Sequence, residues 1–262
     1  MKSTTRKTKS IFTSCALFFC IVQASVADEV KVAVAANFSA AIKALAPVFE
    51  QKTGHKVLPS FSASGQLFAQ IQNGAPFDVF LSADDIHFAT LQQNHLAVKD
   101  SAFIYAMGRV VLWQQGSSGG HEQVDAAALL GVLDSLGSGK IAIANPNTAP
   151  YGAAAVEVLQ QLGRYDTLKN QFVMGENIAQ TQQFVESGAV TTGFVALAQI
   201  ISLPKAKQGQ WWLVPENLHA PIKQQAMLLT KAENNQAANA FLLFLKTPEA
   251  IAIIHSFGYA TP

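Results

Sequence analysis

Cysteine is absent from most of this chain, because both of its cysteines, Cys15 and Cys20, lie within the first 27 residues. Residues 28–262 therefore have no disulfide, no thiolate nucleophile and no cysteine-based metal site. The six histidines do not stand at metal-ligand spacing with a useful carboxylate, and Ser64 lacks the G-x-S-x-G context of a serine hydrolase. The sequence thus predicts neither a zinc centre nor a serine hydrolase.

Positive charge is also scarce. Four of the 18 basic residues precede residue 28 while all 17 acidic residues follow, so residues 28–262 carry a formal net charge of −3. No basic run remains there, and nothing indicates a nucleic-acid partner. If this chain binds an anion, bulk charge does not attract it. The longest apolar run after the first segment, 194–203, is too short to span a membrane.

The first 27 residues have the pattern of a secretory signal peptide. A basic stretch precedes a short apolar core over 11–22, and a small-x-small triplet at 25–27 precedes Asp28. The basic residues are Lys2, Arg6, Lys7 and Lys9. We expect this segment to direct export to the periplasm and to be removed.

The stretch 30–54 organises the chain that follows. Valines two residues apart over 30–34 predict a strand, and apolar residues at helical spacing over 42–49 predict a helix that Gly54 ends. Asn37 or Ser39 is the N-cap candidate. No acid lies in the first turn, so the positive end of the helix dipole is free for an anion.

The same arrangement of strand, polar turn and helix recurs three times. Strands over 56–61, 140–144 and 172–175 lead to helix starts at Ser64, Tyr151 and Ile178. Ser64 and Asn177 are the N-cap candidates, and Pro150 suits a first helical position. Alternating strands and helices predict an α/β protein with mostly parallel sheets, whose ligands lie at the carboxyl ends of strands.

Other segments carry further expectations. Asp84 and Asp85 are interpreted as the cap of a helix over 86–96 rather than as catalytic carboxylates. The apolar run 103–114 predicts one long strand, and Pro215 after 211–214 predicts an edge strand there. Pro59 likewise places the second strand at or near an edge. Two amphipathic helices are predicted over 234–246 and 248–257.

The four helix starts suggest anion binding if they share one cleft. No Arg or Lys lies in these turns. A small oxyanion would be held by backbone N–H groups, the Ser64 hydroxyl and the Asn37 amide. Donors without a carboxylate acceptor favour a fully deprotonated oxyanion, because a protonated one keeps an unpaired O–H. The alternative is that all four are ordinary capped helices.

Several long blocks in order resemble the ModA family, the periplasmic molybdate-binding components of ABC importers. The blocks are VAVAANFSAA, SASGQLFAQIQNGAPFDVFLSADD, ANPNTAPYGAAAVEVLQQLG, GENIAQTQQFVESGA and GFVALAQI. The resemblance covers essentially all of residues 28–262. It implies a two-lobed periplasmic binding protein of type II, each lobe a mixed, mostly parallel sheet flanked by helices, with the ligand cleft between lobes. Lobe I would comprise 28–106 and 222–262, and lobe II 107–221.

The resemblance also implies the ligand and its contacts. Matched position by position, the family's contacts fall on Asn37 with Ala36 beside it, on Ser64, and on backbone donors at Tyr151 and Ile178. They would touch the oxygens of molybdate rather than its metal. Ala196 stands where many family members have a tyrosine, and Ala36 where a hydroxyl residue would give another donor.

The function implied by the resemblance is capture of molybdate, and of tungstate, for a membrane permease. We expect a periplasmic monomer with no cofactor besides the transported anion and no nucleic-acid partner. Three alternatives remain open at this point. They are a binding protein for sulfate or another tetrahedral oxyanion, an extracytoplasmic enzyme, and a sensor acting through a membrane partner.

Overall fold

The computed structural model describes residues 28–116 and 121–262. The predicted signal peptide, residues 1–27, lies outside the described residues. The strands are β1 (Glu29–Ala35), β2 (Lys56–Ser62), β3 (Val79–Ser82), β4 (Phe103–Gly108), β5 (Val110–Gln114), β6 (His121–Gln123), β7 (Ile141–Ala144), β8 (Phe172–Gly175), β9 (Thr192–Ala196), β10 (Gln210–Leu213) and β11 (Ile222–Leu228). The α-helices are α1 (Ser39–Thr53), α2 (Ser64–Gln72), α3 (His87–Gln93), α4 (Ala126–Ser135), α5 (Pro150–Gln161), α6 (Tyr165–Leu168), α7 (Ile178–Glu186), α8 (Leu197–Ile201), α9 (Gln236–Leu245) and α10 (Pro248–Ser256).

The first sheet has the strand order β2-β1-β3-β11-β4. β1 pairs in parallel with β2 and β3, whereas β11 is antiparallel to β3 and β4. Side chains of β1 alternate between its faces: Val32 packs with α1 and α9, and Ala33 packs with α2 and α3. Helices therefore cover both faces. The edge position expected for the strand with Pro59 is confirmed, since β2 ends the sheet.

The second sheet has the order β6-β10-β5-β9-β7-β8. β7 is parallel to β8 and β9, whereas β5 is antiparallel to β9 and β10. α4 and α5 pack on one face and α7 and α8 on the other. The expected mixed α/β architecture is confirmed. The edge position expected for 211–214 is wrong, because β6 pairs with β10; Pro215 lies beyond the last paired residue and blocks nothing.

The run 103–114 is not one strand. It breaks at Arg109 into β4 and β5, which belong to different sheets. Both halves are largely buried, so their apolar side chains form one continuous run that conceals the change of sheet. The chain crosses from the first sheet to the second here, and it returns to the first sheet at β11.

The local signal at the C-terminal end of the first helix acts as the sequence indicates. Gly54 has φ +74° and its N–H bonds to the Glu50 carbonyl, which ends α1 in the left-handed conformation that glycine permits. The predicted C-terminal helices correspond to α9 and α10. In the described part of the chain, no single helix is long and apolar enough to cross a membrane. α9 and α10, bent by 65°, pass that test only as a pair, on length and composition alone.

Candidate functional site

One small cavity brings together all five residues that are predicted to contact the anion. It holds about 200 Å³ of empty space, its mouth included. The predicted residues that line it are Ala36, Asn37, Ser64, Tyr151 and Ile178. They come from the starts of four helices, two that follow strands of the first sheet and two that follow strands of the second. Sequence reasoning thus identified the four turns that meet here.

Five further residues line the cavity and were not predicted. They are Ala35, Ala63, Ala83, Ala149 and Pro150. Four of them are alanines, which present no functional group that a motif search would detect. Ala83 follows β3, in the turn that sequence reasoning interpreted only as a helix cap. Together these residues line the cavity with small side chains, so that backbone atoms lie close to its interior.

Asn37 lies in a 3-10 turn, Ala36–Phe38, between β1 and α1. Neither Asn37 nor Ser39 caps α1; the N-cap position belongs to Phe38, with no side-chain cap bond. The Asn37 Nδ2 group donates to Gln224 Oε1 at 2.8 Å and to the Tyr259 hydroxyl at 3.1 Å. Both amide hydrogens are therefore used inside the protein. In this arrangement the Asn37 amide has no hydrogen left for an anion, so we expect the backbone N–H of Asn37 to be the donor instead.

Ser64 is the first residue of α2 rather than its N-cap, which is Ala63. Its Oγ accepts a hydrogen bond from the Ala83 N–H at 2.8 Å, and the residue is 1% exposed. Among the described residues, none accepts the Ser64 hydroxyl proton. The hydroxyl is thus fixed by one bond through its oxygen and keeps its own donor for a ligand.

The start of α5 shows why its sequence is Pro-Tyr-Gly. Pro150 occupies the first helical position, as predicted. A Cβ on Gly152 would overlap the Ala144 carbonyl oxygen, so only glycine lets α5 approach the end of β7 this closely. The approach places the first turn of α5, with the Tyr151 N–H, at the carboxyl end of the second sheet. The N–H groups of a first helical turn have no acceptor within the helix.

Asn177 caps α7, as predicted. Its Oδ1 accepts from the N–H groups of Ala179 at 3.0 Å and of Gln180 at 3.1 Å. The cap satisfies the second and third positions of the helix and leaves the first, Ile178, without this partner. The backbone N–H of Ile178 is therefore the free donor of this turn.

The cavity contains no charged side chain among the residues that line it. Its one titratable group is the Tyr151 phenol, whose pKa burial raises well above its usual value. The phenol consequently stays neutral at physiological pH. Whatever the cavity binds meets helix ends, N–H groups and one serine hydroxyl, and no formal charge.

Asp84 and Asp85 lie outside this cavity, on a wider groove beside it that also contains His87. The expectation that they cap the next helix is wrong. The N-cap of α3 is Ile86, and no side chain caps it. Asp84 instead lies 2.6 Å from His87 Nδ1 and accepts from the Ser82 hydroxyl at 3.0 Å.

Two other expectations concern Ala196 and metal binding. Ala196 is fully buried at the end of β9, and its N–H bonds to Gln199 Oε1 at 3.0 Å, away from the cavity lining. No side chain of the segment GFVALAQI carries a hydroxyl. In residues 28–116 and 121–262, no group of three or more His, Cys, Asp or Glu side chains could hold a metal ion.

Comparison with known proteins finds relatives that match nearly the whole chain. A model of the family described as bacterial extracellular solute-binding protein matches residues 30–260. The molybdate-binding protein ModA of Azotobacter vinelandii is 46% identical over 243 residues, 93% of this chain and 93% of that protein. The molybdate-binding protein ModA of Rhodobacter capsulatus is 43% identical over 251 residues, 95% of each chain.

A solved structure shows the same architecture. The periplasmic molybdate-binding protein of Azotobacter vinelandii superposes with a TM-score of 0.81 at 40% identity, and the match covers 89% of this chain and 99% of that one. The fold class expected from the sequence is thereby confirmed.

Proposed function

The chain belongs to the family of bacterial extracellular solute-binding proteins and, within it, to the ModA group, and from this premise we propose that it binds molybdate for delivery to an ABC importer. One observation carries the proposal. Four helix starts from two different sheets meet around a small cavity that no charged side chain lines. Such a site suits a small anion, because helix N-termini and free N–H groups are anion-binding elements.

The proposed contacts are neutral donors only. They are the Ser64 hydroxyl and the backbone N–H groups of Asn37, Tyr151 and Ile178, with Ala36 beside them. Each would bind an oxygen of the oxyanion rather than its metal. In a site from which water is excluded, oriented dipoles of this kind stabilise a dianion without a counter-charge.

The candidate anions differ in whether they carry a proton at neutral pH. The cavity lining has no carboxylate to accept a proton from the ligand. Hydrogen phosphate would bring an O–H group that finds no partner, and a buried unpaired donor is costly. Molybdate, tungstate and sulfate carry no proton at neutral pH. We therefore expect phosphate to be rejected by its proton, and sulfate by the size of the cavity.

The transport cycle follows from the two-lobed arrangement. We propose that lobe I (28–106 and 222–262) and lobe II (107–221) close on the anion, and that the importer's permease reads the closed form. Residues 1–27 would direct export of the chain to the periplasm. The protein would act there as a monomer. No cofactor and no catalytic step enters this proposal.

Titration calorimetry of residues 28–262 tests it, with molybdate, tungstate, sulfate and phosphate as separate ligands. One-to-one binding of molybdate and tungstate, with sulfate at least about a hundredfold weaker, is the expected result. Tighter binding of sulfate would assign the protein to that anion on the same fold. No heat with any of the four would mean that the helix starts are ordinary helix ends.

A further inference from the structure

A buried amide, Gln224, joins elements on both sides of the cavity. It lies on β11, is fully buried, and does not line the cavity itself. Its Oε1 accepts from Asn37 Nδ2 at 2.8 Å and from the Tyr105 hydroxyl at 3.1 Å. Its Nε2 donates to the Tyr151 hydroxyl at 3.4 Å. One side chain thus contacts the turn between β1 and α1, the strand β4 and the start of α5.

A fully buried amide in the interior of a sheet requires a physical explanation. An unpaired amide in a sheet interior is destabilising, and an apolar residue would pack there at lower cost. Gln224 has partners at both ends of its amide, so its bonds fix it in one orientation. Two of those partners, Asn37 and Tyr151, are cavity residues from opposite sheets. The amide therefore connects the turn after β1 with the start of α5.

The Tyr151 phenol also lies beside the segments where the chain crosses between the sheets. A Cβ on Gly108, just before the break at Arg109, would overlap the Tyr151 hydroxyl and lie 2.9 Å from Ile222 Cγ2. Gly108 ends β4 and Ile222 begins β11. A change in the angle between the sheets would therefore move this phenol relative to Gln224.

We propose that Gln224 is a positioning residue for the oxyanion, because its bonds to Asn37 and Tyr151 join the two sides of the cavity and fix the width between the Asn37 and Tyr151 turns. The inference rests on the proposed function and extends it to selectivity. A cavity of fixed width distinguishes molybdate from the smaller sulfate. Loss of either bond lets the width vary, so the larger anion loses more affinity than the smaller one.

The test compares three substitutions that affect the same amide. Gln224→Met removes every bond of the amide at similar volume. Tyr151→Phe removes only the bond from the amide to the start of α5 and keeps the ring and the backbone N–H. Tyr105→Phe is the matched control, since it removes a buried phenol hydroxyl on the same Oε1 but within the first sheet. Calorimetry with molybdate and sulfate, and dissociation rates by stopped-flow fluorescence, are measured for each.

We expect Gln224→Met to weaken molybdate binding about tenfold and Tyr151→Phe about three- to tenfold, mainly through faster dissociation. In both variants the ratio of molybdate to sulfate affinity should fall, while Tyr105→Phe keeps the wild-type ratio. Small-angle scattering should show a smaller compaction on adding molybdate for the first two. Gln225→Met, at the next position of β11, is a second control expected to bind as wild type.

The outcomes separate the two proposals. If Tyr151→Phe has the wild-type ratio and rates while Gln224→Met is weak, the amide is only structural and the inference fails. If all three variants lose affinity equally without a change in ratio, it also fails. If the wild-type protein binds no oxyanion, the proposed function fails, whatever the variants do.

Discussion

The amide nitrogen of Gly65 lies 2.9 Å from the carbonyl oxygen of Thr148 and donates a hydrogen bond to it. Gly65 follows Ser64 in α2, and Thr148 leads into α5, so this bond joins the two sides of the cavity. A Cβ on Gly65 would lie 3.1 Å from Thr148 Cα and 3.2 Å from its carbonyl oxygen. Glycine therefore allows two backbones from different sheets to meet here.

Gly65→Ala should weaken anion binding without destabilising the free protein. The added methyl presses on backbone that cannot rotate away, and crowding of this kind costs about 1–3 kcal/mol, or about 5- to 150-fold in affinity. Under the proposed cycle the lobes separate without the anion, which relieves this contact, and alanine is the better helix former, so the melting temperature without ligand should hold or rise.

Gly131→Ala is the matched control for that variant. Gly131 lies in α4, and a Cβ there would meet nothing within 4 Å. It should raise stability by up to about 1 kcal/mol and leave affinity unchanged. For both variants, calorimetry measures the affinity for the anion and thermal unfolding measures the stability of the free protein. Wild-type affinity in Gly65→Ala would show that the two sides need not come this close.

Ser64→Ala should reduce both affinity and stability. A hydrogen bond to a charged ligand contributes about 1.5–3 kcal/mol, so affinity should fall roughly 10- to 100-fold. The buried N–H of Ala83 also loses its acceptor, which costs about 1–3 kcal/mol of folding free energy.

Ser101→Ala separates these two effects. The Ser101 Oγ likewise accepts a backbone N–H, from Leu228 at 3.2 Å, but it lies away from the cavity. This control should lose stability and keep its affinity for molybdate. Ser64→Ala with unchanged affinity would remove the hydroxyl from the set of ligand donors.

Asp84→Asn should change affinity by less than about threefold. Asp84 lies on the outer groove and pairs with His87, and neither lines the cavity. Removal of a nearby negative charge should, if anything, favour an anion slightly. Asp134→Asn, which removes an equal charge from an exposed pair with Arg164, is the control. A large loss of binding in Asp84→Asn alone would place the groove in the binding machinery.

Alkaline pH should destabilise the protein through three buried tyrosines. Burial raises the pKa of the phenols of Tyr105, Tyr151 and Tyr259 above the usual value. Above about pH 10 the unfolded chain ionises these groups while the folded protein keeps their protons. The unfolded state then binds fewer protons, so stability is full below about pH 10 and falls above it.

The loss should approach about 4 kcal/mol per pH unit for three such groups. Denaturant unfolding from pH 8 to 11 measures it, and absorbance of phenolate near 295 nm reports ionisation. Three of the four tyrosines should stay neutral in the folded protein until it unfolds. Ionisation of these phenols near pH 10 in folded protein would contradict the prediction.

Much of the fold could be predicted because its signals are local. The valine alternation of β1, the stop at Gly54 and the cap at Asn177 each depend on residues a few positions apart. The same locality explains the errors. The run 103–114 has one apolar pattern in two sheets, and the pairing of β6 with β10 joins segments far apart in the chain.

The sequence by itself determined most of the strands and helices and the four turns that line the cavity, because periodicity and turn chemistry act over a few residues. Only the tertiary structure decided how the polar groups in those turns are used. Ser64 and Ala83, bonded to each other, are 19 residues apart, and Asn37 is 187 and 222 residues from Gln224 and Tyr259. A side chain takes the partner that folding brings within about 3 Å, and no local pattern specifies that partner.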